Sequence, residues 1–113
     1  MQALVEAAAG AGRPVNLEGA DLRKVDLSGF DLSGANLRGA ALAGASLRGA
    51  DLSGADLREA DLRDADLEDA LLSDALLDEA DVAGANLRDA DLVGAGLEGV
   101  NLDEAILEGA RFI

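Results

Sequence analysis

Residues 35–57 read ANLRG AALAG ASLRG ADLSG ADL, and the period of five residues in this stretch decides the fold. The same unit, A-(D/N)-L-x-x, runs without insertion or deletion from Val15 to the end of the 113-residue sequence. We number its positions 1 to 5, so that alanine stands at position 1 and leucine at position 3. Position 3 is leucine in 18 of 20 copies, with Val82 and Phe112 as the exceptions, so a single unit accounts for almost the whole sequence.

The period of five excludes an amphipathic helix and indicates short extended steps. At roughly 100° per residue, a step of five turns successive leucines by about 140° around a helix axis, so they would not share a face. Within each copy, alanine and leucine are two residues apart, which is the spacing of side chains on one side of a strand. Position 5 is glycine in 11 of 19 copies, and glycine suits the positive φ of a type II turn. Each copy is therefore predicted to be an extended step followed by a corner.

The amino-acid composition argues against catalysis, disulfide formation, thiolate metal sites and nucleic-acid binding. Half of the residues are hydrophobic but only 2% are aromatic, and 23 acidic against 9 basic residues give a net charge of −14. Without cysteine or histidine, the sequence has no disulfide framework, no thiolate ligand and no usual general base. A strongly negative protein also repels the phosphate backbone of nucleic acids. We therefore expect no enzyme activity, no catalytic residues, no cofactor, no metal and no direct nucleic-acid binding.

Neither end of the sequence suggests export or a membrane. Residues 1–9 have no basic n-region, and Glu6 interrupts their apolar run. No apolar run approaches the roughly 18 residues of a membrane span. We expect a cytoplasmic protein that does not bind membranes.

Outward aspartates such as Asp51, Asp56 and Asp61 have oxygen ligands that Ca²⁺ accepts, but we expect them to hydrogen-bond nearby backbone groups instead.

The repeat closely resembles the pentapeptide-repeat family across Val15–Ile113. The resemblance implies an all-β fold, a right-handed quadrilateral β-helix (solenoid) with four copies per coil and about five coils. At about 4.8 Å per stacked level, this solenoid would be about 24 Å long. The predicted domains are an N-terminal cap, residues 1–14, and the solenoid, residues 15–113. Helix-forming residues 2–9, followed by Gly10, Gly12 and Pro14, predict a short capping helix; a frayed tail is the alternative.

On this fold the charge is even around the four sides but uneven along the axis. Residues 15–57 carry a net charge of −2, and residues 58–113 carry −12. The densest acidic stretch, residues 59–81, also replaces glycine at five consecutive corners. Because a non-glycine residue resists positive φ, we expect these corners to differ in turn type from the glycine corners. The five corners are Glu59, Asp64, Asp69, Asp74 and Glu79.

The same stretch contains apolar residues at outward positions. Leu71 and Leu76 stand at position 2, where aspartate or asparagine is usual, and Val93 lies outward about one coil further on. An apolar spot surrounded by charge is typical of a protein contact, and random drift of the repeat is the alternative. The candidate partner surface comprises Glu59, Asp64, Asp69, Leu71, Asp74, Leu76, Glu79, Asp81 and Val93.

The C-terminal end lacks any sequence that would cover the last coil. Ile106 occupies a position that is normally polar, Phe112 replaces a core leucine, and the sequence ends at Ile113. An uncovered stack of strands invites pairing. We therefore predict a homodimer joined through the C-terminal coil, with Ile106, Phe112 and Ile113 as the candidate interface; the alternatives are that the sequence is truncated there or that Phe112 plugs the coil alone. Residues 20 apart should also stack, which predicts an ion-pair column of Arg48, Glu68, Arg88 and Glu108.

Two functions fit these observations. Proteins of the pentapeptide-repeat family that are this acidic mimic DNA and occupy the DNA-binding surface of type II topoisomerases. Fourteen net charges over an estimated length of about 24 Å match the one charge per roughly 1.7 Å of B-DNA. The resemblance thus implies a non-enzymatic, acidic protein-binding module that modulates or protects DNA gyrase or topoisomerase IV. The alternative is a rigid scaffold, natural or consensus-like, that binds another protein and has no topoisomerase activity.

Overall fold

The computed structural model describes Val5 and residues 14–113. In this part of the chain no strand is longer than a single bridge residue, and parallel β-bridges join residues 20 positions apart. The bridge residues stand at position 2 and stack in four columns, so the chain forms a four-sided β-helix. The columns are Asn16–Asn36–Asp56–Leu76–Gly96, Asp21–Ala41–Asp61–Asp81, Asp26–Ser46–Asp66–Asn86–Ile106 and Asp31–Asp51–Leu71–Asp91–Arg111.

Backbone hydrogen bonds tie each coil to the next. On one side, the N–H of Leu37 donates to the carbonyl of Asp56 at 2.7 Å, and the N–H of Gly39 donates to Arg58 at 2.9 Å. The N–H of Asn36 donates in the other direction, to Val15 of the preceding coil, at 2.9 Å. The same pattern recurs on the other sides. Each coil is therefore bonded only to the coil before it and the coil after it.

The interior is a stack of leucine and alanine. The position-3 side chains from Leu22 to Leu92 are 0–3% exposed, and the position-1 alanines from Ala35 to Ala90 are 0–4% exposed. Within the described residues no polar or charged residue is buried. The predicted inward direction of alanine and leucine is confirmed. At about 1.5–3 kcal/mol per fully buried leucine, this stack is the main source of stability.

The acidic corners do not differ from the glycine corners, so that prediction was wrong. Glycine corners have φ of 64–76°, and the non-glycine corners have φ of 57–64°. The reason is the bonding between coils: the N–H of Glu59 donates to Asp78 at 3.0 Å, just as that of Gly39 donates to Arg58. All non-glycine corners with positive φ make this bond; they are Lys24, Glu59, Asp64, Asp69, Asp74, Glu79 and Asp89.

Glu104 shows what happens to a non-glycine corner without that bond. It lies in the last level, where no following coil accepts its N–H. Its φ, unlike that of the other acidic corners, is not positive. The ladder is irregular on the same side, because the N–H of Gly84 donates to Glu104 itself at 3.0 Å instead of to Asp103. Bonding to the next coil therefore holds an acidic residue in a backbone conformation that it otherwise leaves.

The structure describes the C-terminal end of the stack completely, but only Val5 of the predicted N-terminal cap before residue 14. Val5 is helical, 1% exposed and part of the core cluster; the rest of the predicted capping helix lies outside the described residues. The inward side chains of the last coil are only partly buried, as are Leu17, Val25 and Phe30 of the first coil; those of the last coil are Leu97, Leu102, Leu107 and Phe112. The molecule measures 34 × 24 × 20 Å. Among Val5 and residues 14–113, no helix has the length and apolar character needed to cross a membrane.

Candidate functional site

The outward aspartates and asparagines at position 2 are used by the fold itself. Asp51 Oδ1 accepts the N–H of Ser53 at 3.0 Å, Asp56 Oδ1 accepts that of Arg58 at 3.1 Å, and every aspartate and asparagine at this position does the same. The others are Asn16, Asp21, Asp26, Asp31, Asn36, Asp61, Asp66, Asp81, Asn86, Asp91 and Asn101. The predicted bonding to nearby backbone is confirmed, and these side chains are fixed in direction.

Several arginines neutralise these same carboxylates. Arg23 forks onto Asp21 through Nε at 2.8 Å and Nη2 at 2.7 Å, and this hydrogen bonding lowers the pKa of Asp21 to about 2. Equivalent bidentate contacts from Arg58 and Arg63 lower the pKa of the Asp56 and Asp61 carboxyls. Most of the remaining arginines form ion pairs with carboxylates of a neighbouring coil. Four of the other pairs are Arg58–Asp56, Arg63–Asp61, Arg38–Glu59 and Arg111–Asp91.

The predicted ion-pair column forms in part. Arg48 contacts Glu68, and Arg88 lies 3.6 Å from Glu108, whereas no ion pair joins Glu68 to Arg88 within the described residues. Arg48 also reaches Asp66 at 3.3 Å. Such exposed pairs contribute about 0–1 kcal/mol each, so the column shapes the surface more than it stabilises the fold.

Most of the acidic corners are carboxylates without an ion pair. Asp64, Asp69, Asp74 and Glu79 are exposed, and none of them forms an ion pair within the part of the chain described here. Glu59, the first corner of the group, is paired with Arg38 at 3.0 Å, and Asp81 lies 4.0 Å from Arg63. We call the four unpaired residues the acidic corner group. One of them stands at each corner of the four-sided coil, so together they form a negative belt around the solenoid that the arginines do not neutralise.

Several corner carboxylates lie against a glycine one coil further on. A Cβ at Gly84 would collide with Asp64, and one at Gly94 would collide with Asp74. The same relation joins Glu79 to Gly99 and Asp89 to Gly109. The absence of a side chain on the next corner thus makes room for each carboxylate. Asp89 is an exposed corner of this kind that the sequence analysis missed, although its non-glycine identity at position 5 was the available signal.

Three of the predicted surface residues form an exposed apolar group around one corner. Leu71, Leu76 and Val93 are 42%, 39% and 41% exposed. The two leucines flank the corner at residues 73–74, and the carbonyl of Val93 accepts the N–H of Asp74 at 2.9 Å. Val93 therefore lies on the same corner, one coil later. We call these three residues the apolar corner.

The C-terminal end is the second apolar surface. Ile106 is 37% exposed, Ile113 is fully exposed and Phe112 is partly buried against the core. Within the described residues, the N–H groups of Leu97 and Leu102 make no backbone hydrogen bond, and the same holds for those of Leu107 and Phe112. The last level therefore combines open backbone donors with exposed apolar side chains.

Comparison with known proteins identifies the family. A sequence model described as "Pentapeptide repeats (8 copies)" matches residues 15–39, 35–74 and 70–109. The chain belongs to the pentapeptide-repeat family. Membership of this family implies that the four-sided β-helix is right-handed. A comparison with curated protein sequences finds no match.

Solved structures of pentapeptide-repeat proteins resemble the chain. The protein Rfr23 from the cyanobacterium Cyanothece 51142 is 31% identical, with a TM-score of 0.72 over 90% of this chain and 67% of that protein. The pentapeptide-repeat protein alr5209 from Nostoc Pcc 7120 is 35% identical, with a TM-score of 0.53 over 98% of this chain and 94% of its own. QnrB1, a plasmid-mediated fluoroquinolone resistance protein, is 19% identical with a TM-score of 0.34, over 87% of this chain and 60% of QnrB1. A similarity that weak carries no argument about function.

Proposed function

We propose that this protein is a non-enzymatic, acidic protein-binding module that presents its C-terminal half to a positively charged surface of a partner. The most specific candidate surface is the DNA-binding surface of a type II topoisomerase, DNA gyrase or topoisomerase IV. The observation that carries the proposal is the uneven charge: residues 58–113 hold −12 of the net −14. The acidic corner group lies in this half, exposed and unpaired.

Charge density supports DNA mimicry for one half of the molecule. Averaged over the longest dimension of 34 Å, the net −14 is one charge per 2.4 Å, which is sparser than the roughly 1.7 Å of B-DNA. Residues 58–113, by contrast, span about 13 Å of axis at about 4.8 Å per coil. Their −12 then corresponds to one charge per roughly 1.1 Å, denser than B-DNA. The charge density of the C-terminal half, unlike the average over the whole molecule, therefore exceeds that of B-DNA, which favours competition with DNA for a cationic surface.

Rigidity supports the same proposal. The acidic corner group sits on backbone that is bonded to the next coil, as in the bond from the N–H of Asp74 to Val93 at 2.9 Å. A surface whose charges are fixed before binding loses less conformational entropy in a complex. The unpaired carboxylates of this half together create a negative electrostatic potential, which steers a cationic partner toward it.

The proposal predicts an effect on supercoiling by gyrase. At low salt, micromolar protein is expected to reduce the rate of supercoiling, and added salt should weaken the effect because the contacts are ionic. Replacing the acidic corner group by Asn and Gln should raise the concentration needed for half-inhibition by about tenfold or more. The matched control removes four charges from the other half, with Glu18→Gln, Asp26→Asn, Asp31→Asn and Asp51→Asn, and should change little. An unaltered supercoiling rate at micromolar excess of the wild type contradicts the proposal.

We also propose that two copies join through the C-terminal end. The open donors and the exposed Ile106 and Ile113 would be covered by a second last level, as expected for an unprotected stack. Light scattering after gel filtration should give twice the monomer mass of 11.4 kDa. The variant Ile106→Asp/Ile113→Asp should elute as a monomer, while Leu71→Asp/Leu76→Asp stays dimeric. A monomeric wild type at every concentration would rule out this interface.

A further inference from the structure

We propose that the apolar corner is a binding site for a protein segment in which apolar side chains are flanked by lysine or arginine. This site is independent of any topoisomerase. Among the described residues the exposed large hydrophobic side chains are Leu71, Leu76, Val93, Ile106 and Ile113. The last two belong to the C-terminal end. The other three share one corner, although nothing in the repeat requires them to be neighbours.

The two leucines lack the side-chain hydrogen bond that most residues at position 2 make. In 13 of 20 copies position 2 is an aspartate or asparagine whose Oδ1 accepts the N–H two positions on, as Asp51 does for Ser53 at 3.0 Å. Leucine cannot accept this bond, and within the described residues the N–H groups of Ser73 and Asp78 have no hydrogen-bond partner. Each leucine also exposes about two fifths of its surface. Each leucine therefore lacks the hydrogen bond of the usual residue and leaves a large part of its apolar surface in contact with water.

The neighbouring residues leave the leucine side chains accessible. Leu76 bridges Gly96 in the following coil, and glycine has no side chain to cover it. Leu76 Cδ2 lies 3.6 Å from the place that a Cβ of Gly96 would occupy. Above Leu71 stands Asp91, whose carboxylate is turned to Arg111 at 3.3 Å. The two leucines thus stand on adjacent sides of one convex corner, and a partner must reach both sides.

The charges around the apolar corner define the chemistry of that partner. Asp69, Asp74, Asp78 and Glu79 surround it, and none of them pairs with a cation among the residues that the structure describes. Asp78 Oδ1 has no hydrogen-bond partner there and lies against Gly96, 2.5 Å from the position of its absent Cβ. An apolar centre with a negative rim is complementary to an apolar centre with a positive rim. A second copy of this corner is excluded as the occupant because like charges would face each other.

Synthetic peptides of matched charge test the site directly. ¹⁵N-labelled protein is titrated with a peptide of alternating lysine and leucine, and separately with one of equal length in which serine replaces leucine. We expect the lysine–leucine peptide to bind about tenfold or more tightly at 0.15 M salt, since it alone buries apolar surface. Its amide shifts should concentrate at residues 71–78 and 91–96. Equal binding of both peptides, or shifts spread evenly over all sides, would overturn the proposal.

A transplanted corner provides the matched control. Each member is exchanged with the residue 20 positions earlier, in the variant D51L/D56L/S73V/L71D/L76D/V93S, so that composition and net charge stay the same. At their new place the leucines stand beside Gly49, Gly54 and Arg58 instead of Asp69, Asp74 and Asp78. Because the negative rim is missing there, the variant should bind the two peptides equally, with no leucine-dependent shifts at residues 51–58. The simpler Leu71→Asp/Leu76→Asp variant restores the usual repeat, so it should fold and lose the preference for leucine over serine. A preference for the lysine–leucine peptide that persists in the transplant would contradict the assignment.

Discussion

Replacing the five consecutive acidic corners by glycine is expected to raise the free energy of unfolding by about 2–5 kcal/mol in total. A non-glycine residue in the left-handed region costs about 1–2 kcal/mol, and glycine returns part of that gain through its larger loss of backbone entropy, leaving about 0.5–1 kcal/mol per corner. The φ values of these residues are 58–64°. They are Glu59, Asp64, Asp69, Asp74 and Glu79.

Urea unfolding followed by circular dichroism measures this gain, and an amide variant separates its two causes. Asn and Gln at the same five positions remove the charge but keep a Cβ at positive φ. The glycine variant should therefore be the more stable of the two. If both variants gain equally, like-charge repulsion accounts for the whole effect and the corners store no backbone strain. Loss of the gyrase effect in the stabilised glycine variant would show that these residues are kept for binding at the expense of stability.

Leu57→Ala is expected to lower the free energy of unfolding by about 2–5 kcal/mol. Leu57 is fully buried, with coils on both sides of it, whereas Leu97 stands in the same column at the last level and is only partly buried. Leu97→Ala should therefore cost about half as much or less, because its side chain loses fewer contacts. Two identical substitutions, two coils apart, thus compare the middle of the stack with its end.

The comparison should be made in the Ile106→Asp/Ile113→Asp background, where dimerisation cannot cover the last level. Chemical denaturation at two protein concentrations checks that the unfolding midpoint does not depend on association. Equal losses for the two alanine variants in this background would mean that the last level is as well packed as the middle. A loss at Leu97 that grows only in the wild-type background would instead locate a second copy at that end.

The interior was predictable because it depends on alternation within each copy. Alanine at position 1 and leucine at position 3 point to the same side of any extended backbone, and no knowledge of the next coil is needed to conclude this. The backbone bonds of the position-2 residues were predictable for the same reason. Asp51 and the N–H of Ser53, for example, are two residues apart and meet at 3.0 Å.

The corners were not predictable from local preference. The sequence alone indicated that Asp64 would avoid positive φ, but its N–H is held by Ala83 of the next coil at 2.9 Å. The bond between coils overrides the preference of the residue. Glu104, which has no following coil, behaves as the local preference indicates. Knowing which corners have a coil above them would have been enough to predict both outcomes.

The surface ion pairs were predictable only in part, because an outward arginine chooses among several carboxylates. Arg48 meets Glu68, 20 residues further on, as expected. Arg38 instead reaches Glu59, which is 21 residues away and stands at a corner. Arg58 turns to Asp56 in its own copy. The stacking period determines which residues are neighbours. Which neighbours form an ion pair depends on the side-chain conformation of the arginine, and the spacing of the repeat does not determine that conformation.

The sameness of the four sides has a consequence for how such a surface can change. Every side contributes the same alanine and leucine to the interior, so the core does not record which side a given copy occupies. Deleting residues 75–79 would leave an unbroken interior and turn everything after it by a quarter of a revolution. Arg88 would then leave the column of Glu68 and stand above Arg63. One five-residue deletion thus changes every outward neighbour across the deletion point at once, and a new surface arises there by rotation without any substitution.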